Sequence, residues 1–198
     1  MSIIENLSIR IARQVKANGS PHSVGVISHG IEIMMLNTLN TLLLLILALF
    51  MGCFTTVAFA SVSYTLLRNF TGGVHFKNPW SCMIFGNILL FSIGWLTSSF
   101  AIQNGLYLYL VTFALFLTSF LINRKHAPAK HTYFEFEPEQ IRQNRRKAFI
   151  ILGFCAGIAF VLGAIGYSPI MLVMGLAVLL QALLLHPLTF KLIQKMGW

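Results

Sequence analysis

Long apolar runs broken by short polar stretches dominate the chain. Six runs stand out, over residues 32–51, 54–67, 80–100, 106–122, 148–166 and 169–190. A membrane-crossing helix needs about 20 mostly apolar residues, and five of the six runs come close to that. The second is short and carries Thr55, Thr56, Ser61, Ser63 and Thr65. Hydroxyls of this kind return hydrogen bonds to the helix backbone, so they do not bar insertion. The pattern predicts an all-α membrane fold: a polytopic bundle of six transmembrane helices. A different period precedes it. Ile4, Leu7, Ile11 and Val15 recur every three or four residues, with Arg10, Arg13, Gln14 and Lys16 on the other face. This is an amphipathic helix suited to an anionic inner leaflet; the same stripe would also serve a helix packed on the ends of the bundle. Asn18, Gly19, Ser20 and Pro21 break it. The first 31 residues lack the apolar core of a secretory signal. The expected organisation is a single integral membrane domain, 1–198, with an interfacial helix over 1–20 and the six-span bundle over 32–190.

Composition agrees. Hydrophobic residues make up 57% of the chain, charged residues 10%, and the mean hydropathy is +0.77. Soluble domains run nearer about 45–50% and about 25%, so a soluble globular protein and a disordered chain are both excluded. Fourteen Lys and Arg oppose five acids, all Glu, for a net charge of +9. On so apolar a chain this excess reads as topology and not as nucleic-acid binding, because cytoplasmic loops collect Lys and Arg. The basic residues fall in four segments: Arg10, Arg13 and Lys16; Arg68 and Lys77; Arg124 to Lys147; and Lys191 and Lys195. The connections near Gly52, Asn104 and Tyr167 carry no charge. With six spans, every basic segment and both termini lie on one side, the cytoplasmic one. Without the second span, basic segments would lie on both faces. Three Cys with no CxxC spacing make neither a disulfide framework nor a zinc ribbon.

The densest chemistry lies between the second and third spans, from Arg68 to Cys82. Gly72 and Gly73 suit a helix end that needs positive φ or close backbone approach. Asn78 and Pro79 read as N-cap and first residue of the third span. Cys82 then falls in about the first turn of that helix, where unpaired N–H groups favour a thiolate and could serve an oxyanion. Arg68 and Lys77 push the same way. His75 lies seven residues before Cys82; on one unbroken helix the two would sit roughly 10 Å apart along the axis, so contact requires a fold-back between them, and Asn78-Pro79 supplies a break. A Cys–His pair in hydrogen-bond reach is the minimum equipment of a thiol acyl-transfer enzyme. The bland alternative is a packing cysteine and a solvated interfacial histidine.

Arg68, Gly72-Gly73-Val74-His75 and Cys82, with six residues between His and Cys, resemble the accessory gene regulator B (AgrB) family of bacterial membrane endopeptidases, which mature quorum-sensing propeptides. The length, six-span pattern and basic loop between the fourth and fifth spans fit along essentially the whole chain. The resemblance implies Cys82 as nucleophile, His75 as general base and a short amphipathic AgrD-like propeptide as substrate. It implies cleavage through a peptidyl thioester on Cys82, then ring closure by a Cys or Ser of the peptide to a thiolactone or lactone. It further implies a multi-pass protein of the bacterial cell membrane with its site near the cytoplasmic face.

Other residues keep two readings. Glu32, at the cytoplasmic end of the first span, could orient His75 or grip a cationic part of the substrate; equally it is an interfacial carboxylate. Arg68 is an interfacial anchor or a clamp for a substrate carboxylate. The segment from Arg142 to Lys147 signals topology and lipid-headgroup contact, and the resemblance adds a second use on an acidic propeptide tail. Asn37 and Asn40 suit bundle glue. His126 and His131 lack further ligands nearby, and no metal or cofactor is implied. Cys53, toward the outer face, and Cys155, within the fifth span, read as structural, and Gly153, Gly157, Gly163 and Gly166 suggest tight packing around Cys155. A six-helix bundle of this size encloses little volume for a peptide, which points to a homodimer. A small membrane transporter or exporter of peptide or other solute is the alternative. It would call for inverted-repeat symmetry and a midplane polar site, neither of which is evident.

Overall fold

The computed structural model describes residues 3–74, 79–100, 105–129 and 137–195. Among them the chain is helical, with no strand: α1 (Ile3–Ala17), α2 (Val24–Phe50), α3 (Phe54–Thr71), α4 (Pro79–Ser99), α5 (Leu106–His126), α6 (Pro138–Ala164), α7 (Ser168–Leu183) and α8 (Pro187–Lys195). It divides into two compact units, Met1–Ile46 and Leu47–Trp198.

In the first unit, α1 covers the amphipathic stretch. The residues it buries are small ones, Ser8 and Ala12, one turn apart, while Leu7 and Val15 of the apolar stripe stay exposed. The Ser8 and Ser28 hydroxyls meet at 2.9 Å and join α1 to α2. Ser23 precedes α2, and its hydroxyl accepts the Val26 N–H, satisfying one orphan donor of the first turn.

The second unit is built around α7, which packs against α3, α4, α5 and α6. Ile170, Met171, Val173, Met174, Ala177, Val178 and Ala182 are all buried. A helix apolar all round belongs in the middle of its neighbours. Its core partners include Leu67 of α3, Phe116 of α5, and Leu152, Cys155 and Ala159 of α6. Two glycines let helices close in. A Cβ on Gly94 of α4 would sit 3.0 Å from the Val57 Cα and backbone nitrogen of α3, and one on Gly163 would meet the Met171 sulfur. Gly153 and Gly157 face open space, so the glycine-lined seam expected around Cys155 reduces to Gly163, while Gly166 forms the turn into α7.

Among the described residues, three helices are long and apolar enough to cross a membrane: α2, α5 and α6. The pair α7 and α8 would make a fourth if counted as one, but it bends by 71°. The sixth run, 169–190, is therefore two helices: Pro187, which has no backbone N–H, starts α8 and does not continue α7. Met83–Ser99 is apolar but shorter. α3 does not reach the same apolarity, for a reason its burial explains. Thr56, Ser61, Ser63 and Thr71 point inward, while Phe54, Val62 and Leu66 are exposed. Thr56 donates to the Cys53 carbonyl at 3.0 Å and the Gly94 carbonyl at 2.8 Å, so its hydroxyl is satisfied inside the bundle. α6 begins at Pro138, where Pro138-Glu139-Gln140 has the pattern of a helix start leading into the fifth span, ten residues before the run at 148–166, so Arg142 to Lys147 lie on its first turns. Its start carries a capping-box bond, the Gln140 side chain accepting the Glu137 N–H at 3.3 Å.

Candidate active site

The segment after α3 is held from several directions. α3 ends at Thr71, as the Gly-Gly pair suggested. Gly72 (φ +67°) donates its N–H to the Arg68 carbonyl at 2.9 Å, and Gly73 follows at φ +145°. Both angles lie where an L side chain is strained. A Cβ on Gly73 would lie 2.8 Å from Arg68 Nη1.

Arg68 reaches over this turn. Its Nη2 donates to the Val74 carbonyl at 2.8 Å, and its guanidinium lies 5.7 Å from the Tyr64 ring centroid. Nη1 is buried and meets no acceptor among the described residues. The Val74 N–H donates to the Leu184 carbonyl at 3.1 Å, and the Val74 side chain packs with Leu184, Ile193, Tyr64 and Phe190. Ala129, just after α5, donates its N–H to the Thr71 carbonyl at 2.8 Å.

Gln181, in the last turns of α7, completes the arrangement. It is fully buried, and its Nε2 donates to the Thr71 hydroxyl and the Gly72 carbonyl, each at 2.7 Å. The Thr71 hydroxyl in turn donates to the Leu67 carbonyl at 2.9 Å. Sequence reasoning missed Gln181. The available signal was a lone amide in the otherwise apolar last three turns of α7, since polar residues in such helices usually bond across to a neighbour.

The basic start of α6 also leans on this region. Arg145 Nε donates to the Ala127 carbonyl at 2.9 Å, and Lys147 lies 5.7 Å from the centroid of Phe70. Arg142 pairs with Glu139. A shallow groove of about 420 Å³ runs along Arg142, Arg145, Arg146, Phe149 and Ile150. His126 packs edge-on against His186, ring centroids 5.2 Å apart; His131 lies outside the described residues.

His75 and Lys77 lie outside the described residues. Cys82 is the fourth residue of α4, within the first turn after Pro79; its side chain lies outside the described residues. Glu32 is half-buried on α2 in the first unit. Of the expected site residues, the structure thus brings together Arg68, Gly72 and Gly73. Cys53 and Cys155 are free and buried, Cys155 within the α6–α7 core, which fits packing roles.

Among the described residues the chain is helical and strongly apolar, as a membrane protein is. The accessory gene regulator B family model matches residues 6–185, and the chain belongs to that family. It is 27% identical to an AgrB-like protein of Halalkalibacterium halodurans over 198 residues, covering 98% of this chain and 93% of the relative. It is 25% identical to an AgrB-like protein of Listeria monocytogenes over 173 residues, covering 85% and 79%. No solved structure matches it. Membership places the chain in the accessory gene regulator system, in a family associated with peptide processing and linked to an AgrD-type propeptide.

Proposed function

We propose that this chain is a membrane cysteine endopeptidase that cleaves an AgrD-like propeptide through an acyl-enzyme and supports its cyclisation. The observation that carries the reading is the fixed segment Gly72-Gly73-Val74, which ends one residue before His75, with Cys82 in the opening turn of α4.

The chemistry follows from the residue types. His75 takes the thiol proton of Cys82, and the thiolate attacks the carbonyl at the end of the future signal sequence. N–H groups of the first turn of α4 stabilise the resulting oxyanion. Collapse breaks the peptide C–N bond, and His75 returns its proton to the leaving amine. The C-terminal tail departs and the peptide remains as a thioester on Cys82. A Cys or Ser of the peptide then displaces Cys82, closing a thiolactone or lactone and regenerating the thiol. Exchange between thioesters is close to balanced in energy, so excluding water conserves the activated acyl group.

The remaining parts of the reading are as follows. The chain is one integral membrane domain with six spans, its termini and site on the cytoplasmic side. α1 rests its exposed Leu7 and Val15 on the anionic inner leaflet. Lys77 adds positive charge to the segment ahead of α4, and Glu32 grips a cationic part of the substrate. The arginines at the start of α6 engage the propeptide tail, and a second copy helps enclose the peptide. No cofactor takes part.

Mass spectrometry of the protein in lipid with a synthetic AgrD-type propeptide tests the reading. A released tail with wild type, absent with Cys82→Ala and with His75→Ala, is the expected result. Cleavage that survives both substitutions overturns it.

A further inference from the structure

We propose that Gln181 is a positioning residue for His75, acting from α7 through the Gly72 carbonyl. The inference rests on the Cys82–His75 reading above and extends it to a helix far away in sequence.

The argument starts from cost. A buried amide is unfavourable unless its polar atoms find partners. Gln181 is fully buried, and its Oε1 meets no donor among the described residues. A Met would fill similar space without the orphaned oxygen. What the amide supplies and a Met cannot is its two N–H donors, and both are spent on the turn that leads to His75. One goes to Thr71 Oγ1 and one to the Gly72 carbonyl. The direction of the first bond is consistent, because the Thr71 hydroxyl uses its own proton on the Leu67 carbonyl and so accepts from Gln181. An amide flipped the other way would set its oxygen against the Gly72 carbonyl.

The second part is register. The Leu184 carbonyl, at the C-terminal end of the same helix, receives the Val74 N–H, and Arg68 supplies the Val74 carbonyl. The Gly72 carbonyl, the Val74 N–H and the Val74 carbonyl, which belong to three successive peptides, are therefore held by Gln181, Leu184 and Arg68. Both glycines hold positive φ, so the turn has little intrinsic preference for one conformation and depends on these bonds. Releasing the Gly72 carbonyl frees the approach to His75 while leaving the composition of the Cys–His pair untouched.

The test reads Cys82 directly. In a Cys53→Ala/Cys155→Ala background, the rate of Cys82 alkylation by iodoacetamide is followed against pH for wild type, His75→Ala, Gln181→Met, Thr71→Val and the Thr71→Val/Gln181→Met pair. The expected wild-type profile depends on His75. Gln181→Met should move it most of the way to the His75→Ala profile and lower propeptide turnover at least tenfold, with KM changed less than threefold. Thr71→Val should do less, and the pair should do no more than Gln181→Met. If Gln181→Met does not fold, the near-isosteric Gln181→Glu, which loses the paired donors when ionised, reads the same profile. A His75-dependent wild-type profile left unmoved by the folded Gln181 variant overturns this inference alone. A wild-type profile indifferent to His75→Ala overturns the dyad, and this inference with it.

Discussion

Arg68 and Val74 are joined across the Gly-Gly turn: the guanidinium of Arg68, in the last turn of α3, donates to the Val74 carbonyl at 2.8 Å. The bond runs over the turn that precedes His75, and it gives Arg68 a task that neither a headgroup anchor nor a carboxylate clamp requires.

Arg68→Lys therefore should not be conservative. Lysine keeps the charge but offers a point donor in place of a planar fork, and it loses the stacking on Tyr64. A charge-assisted hydrogen bond is worth about 1.5–3 kcal/mol. If that is lost in the reacting complex, propeptide cleavage should fall tenfold or more. Steady-state cleavage by Arg68→Lys and Arg68→Ala checks this; wild-type rates in folded Arg68→Lys would show that charge alone suffices.

Gly73 should tolerate substitution less well than Gly72. Both have positive φ, which costs a non-glycine residue about 1–3 kcal/mol. Only the Gly73 Cβ also runs into Arg68 Nη1, at 2.8 Å; that of Gly72 has the Ala129 Cβ at 3.7 Å as its nearest neighbour. Arg68 can move aside only by giving up Val74. Gly73→Ala is expected to lose more activity than Gly72→Ala, and Arg68→Ala/Gly73→Ala less than the two single losses combined. Additive losses would contradict the steric part of this argument.

The α3–α4 contact supplies a stability test independent of chemistry. A Cβ on Gly94 would press on the Val57 backbone, which cannot step aside as a flexible side chain can. Overpacking of this kind costs about 1–3 kcal/mol. Gly94→Ala should lower the thermal midpoint in detergent. Gly86→Ala, on the same helix with open space around it, should leave it unchanged or raise it. Equal midpoints for the two would refute the close approach.

How far the sequence revealed the fold differs by element. The apolar runs that became α2, α4, α5, α6 and α7 were legible because each is long and nearly free of charge. α3 was the weakest of the six runs because its hydroxyls face inward; Thr56 is polar by composition yet satisfied by the Gly94 carbonyl. The polar beginning of α6 has no apolar signal, but Pro138 followed by Glu139 and Gln140 reads in the sequence as a helix start leading into the fifth span, and α6 begins there. His186-Pro187 reads in the sequence as the end of the last span, and α7 stops just before it; the further helix α8 that starts at Pro187, bent by 71°, has no such local signal because the apolar run continues to Phe190. In the site, Gly72 and Gly73 announced themselves through backbone chemistry. Gln181 did not, because its meaning lies in a bond to Gly72 across 109 residues, which no local pattern encodes.

The two buried cysteines should be dispensable for cleavage. Cys155 sits among Leu152, Ala159 and Met171 in the core, and Cys53 is buried just ahead of α3. Cys53→Ala/Cys155→Ala should keep cleavage within a few-fold of wild type, with Cys155→Ala contributing any loss of thermal stability. Abolished cleavage in a folded protein carrying only these changes would move the nucleophile away from Cys82.

The most direct measurement is the mass of the protein itself during turnover with the propeptide in lipid vesicles. The expected result is a covalent adduct on Cys82, heavier by the peptide without its tail, labile to hydroxylamine and absent in Cys82→Ala. It should resolve into a released cyclic peptide. Tail release with no adduct on Cys82, or with the adduct intact in Cys82→Ala, would contradict the acyl-enzyme account.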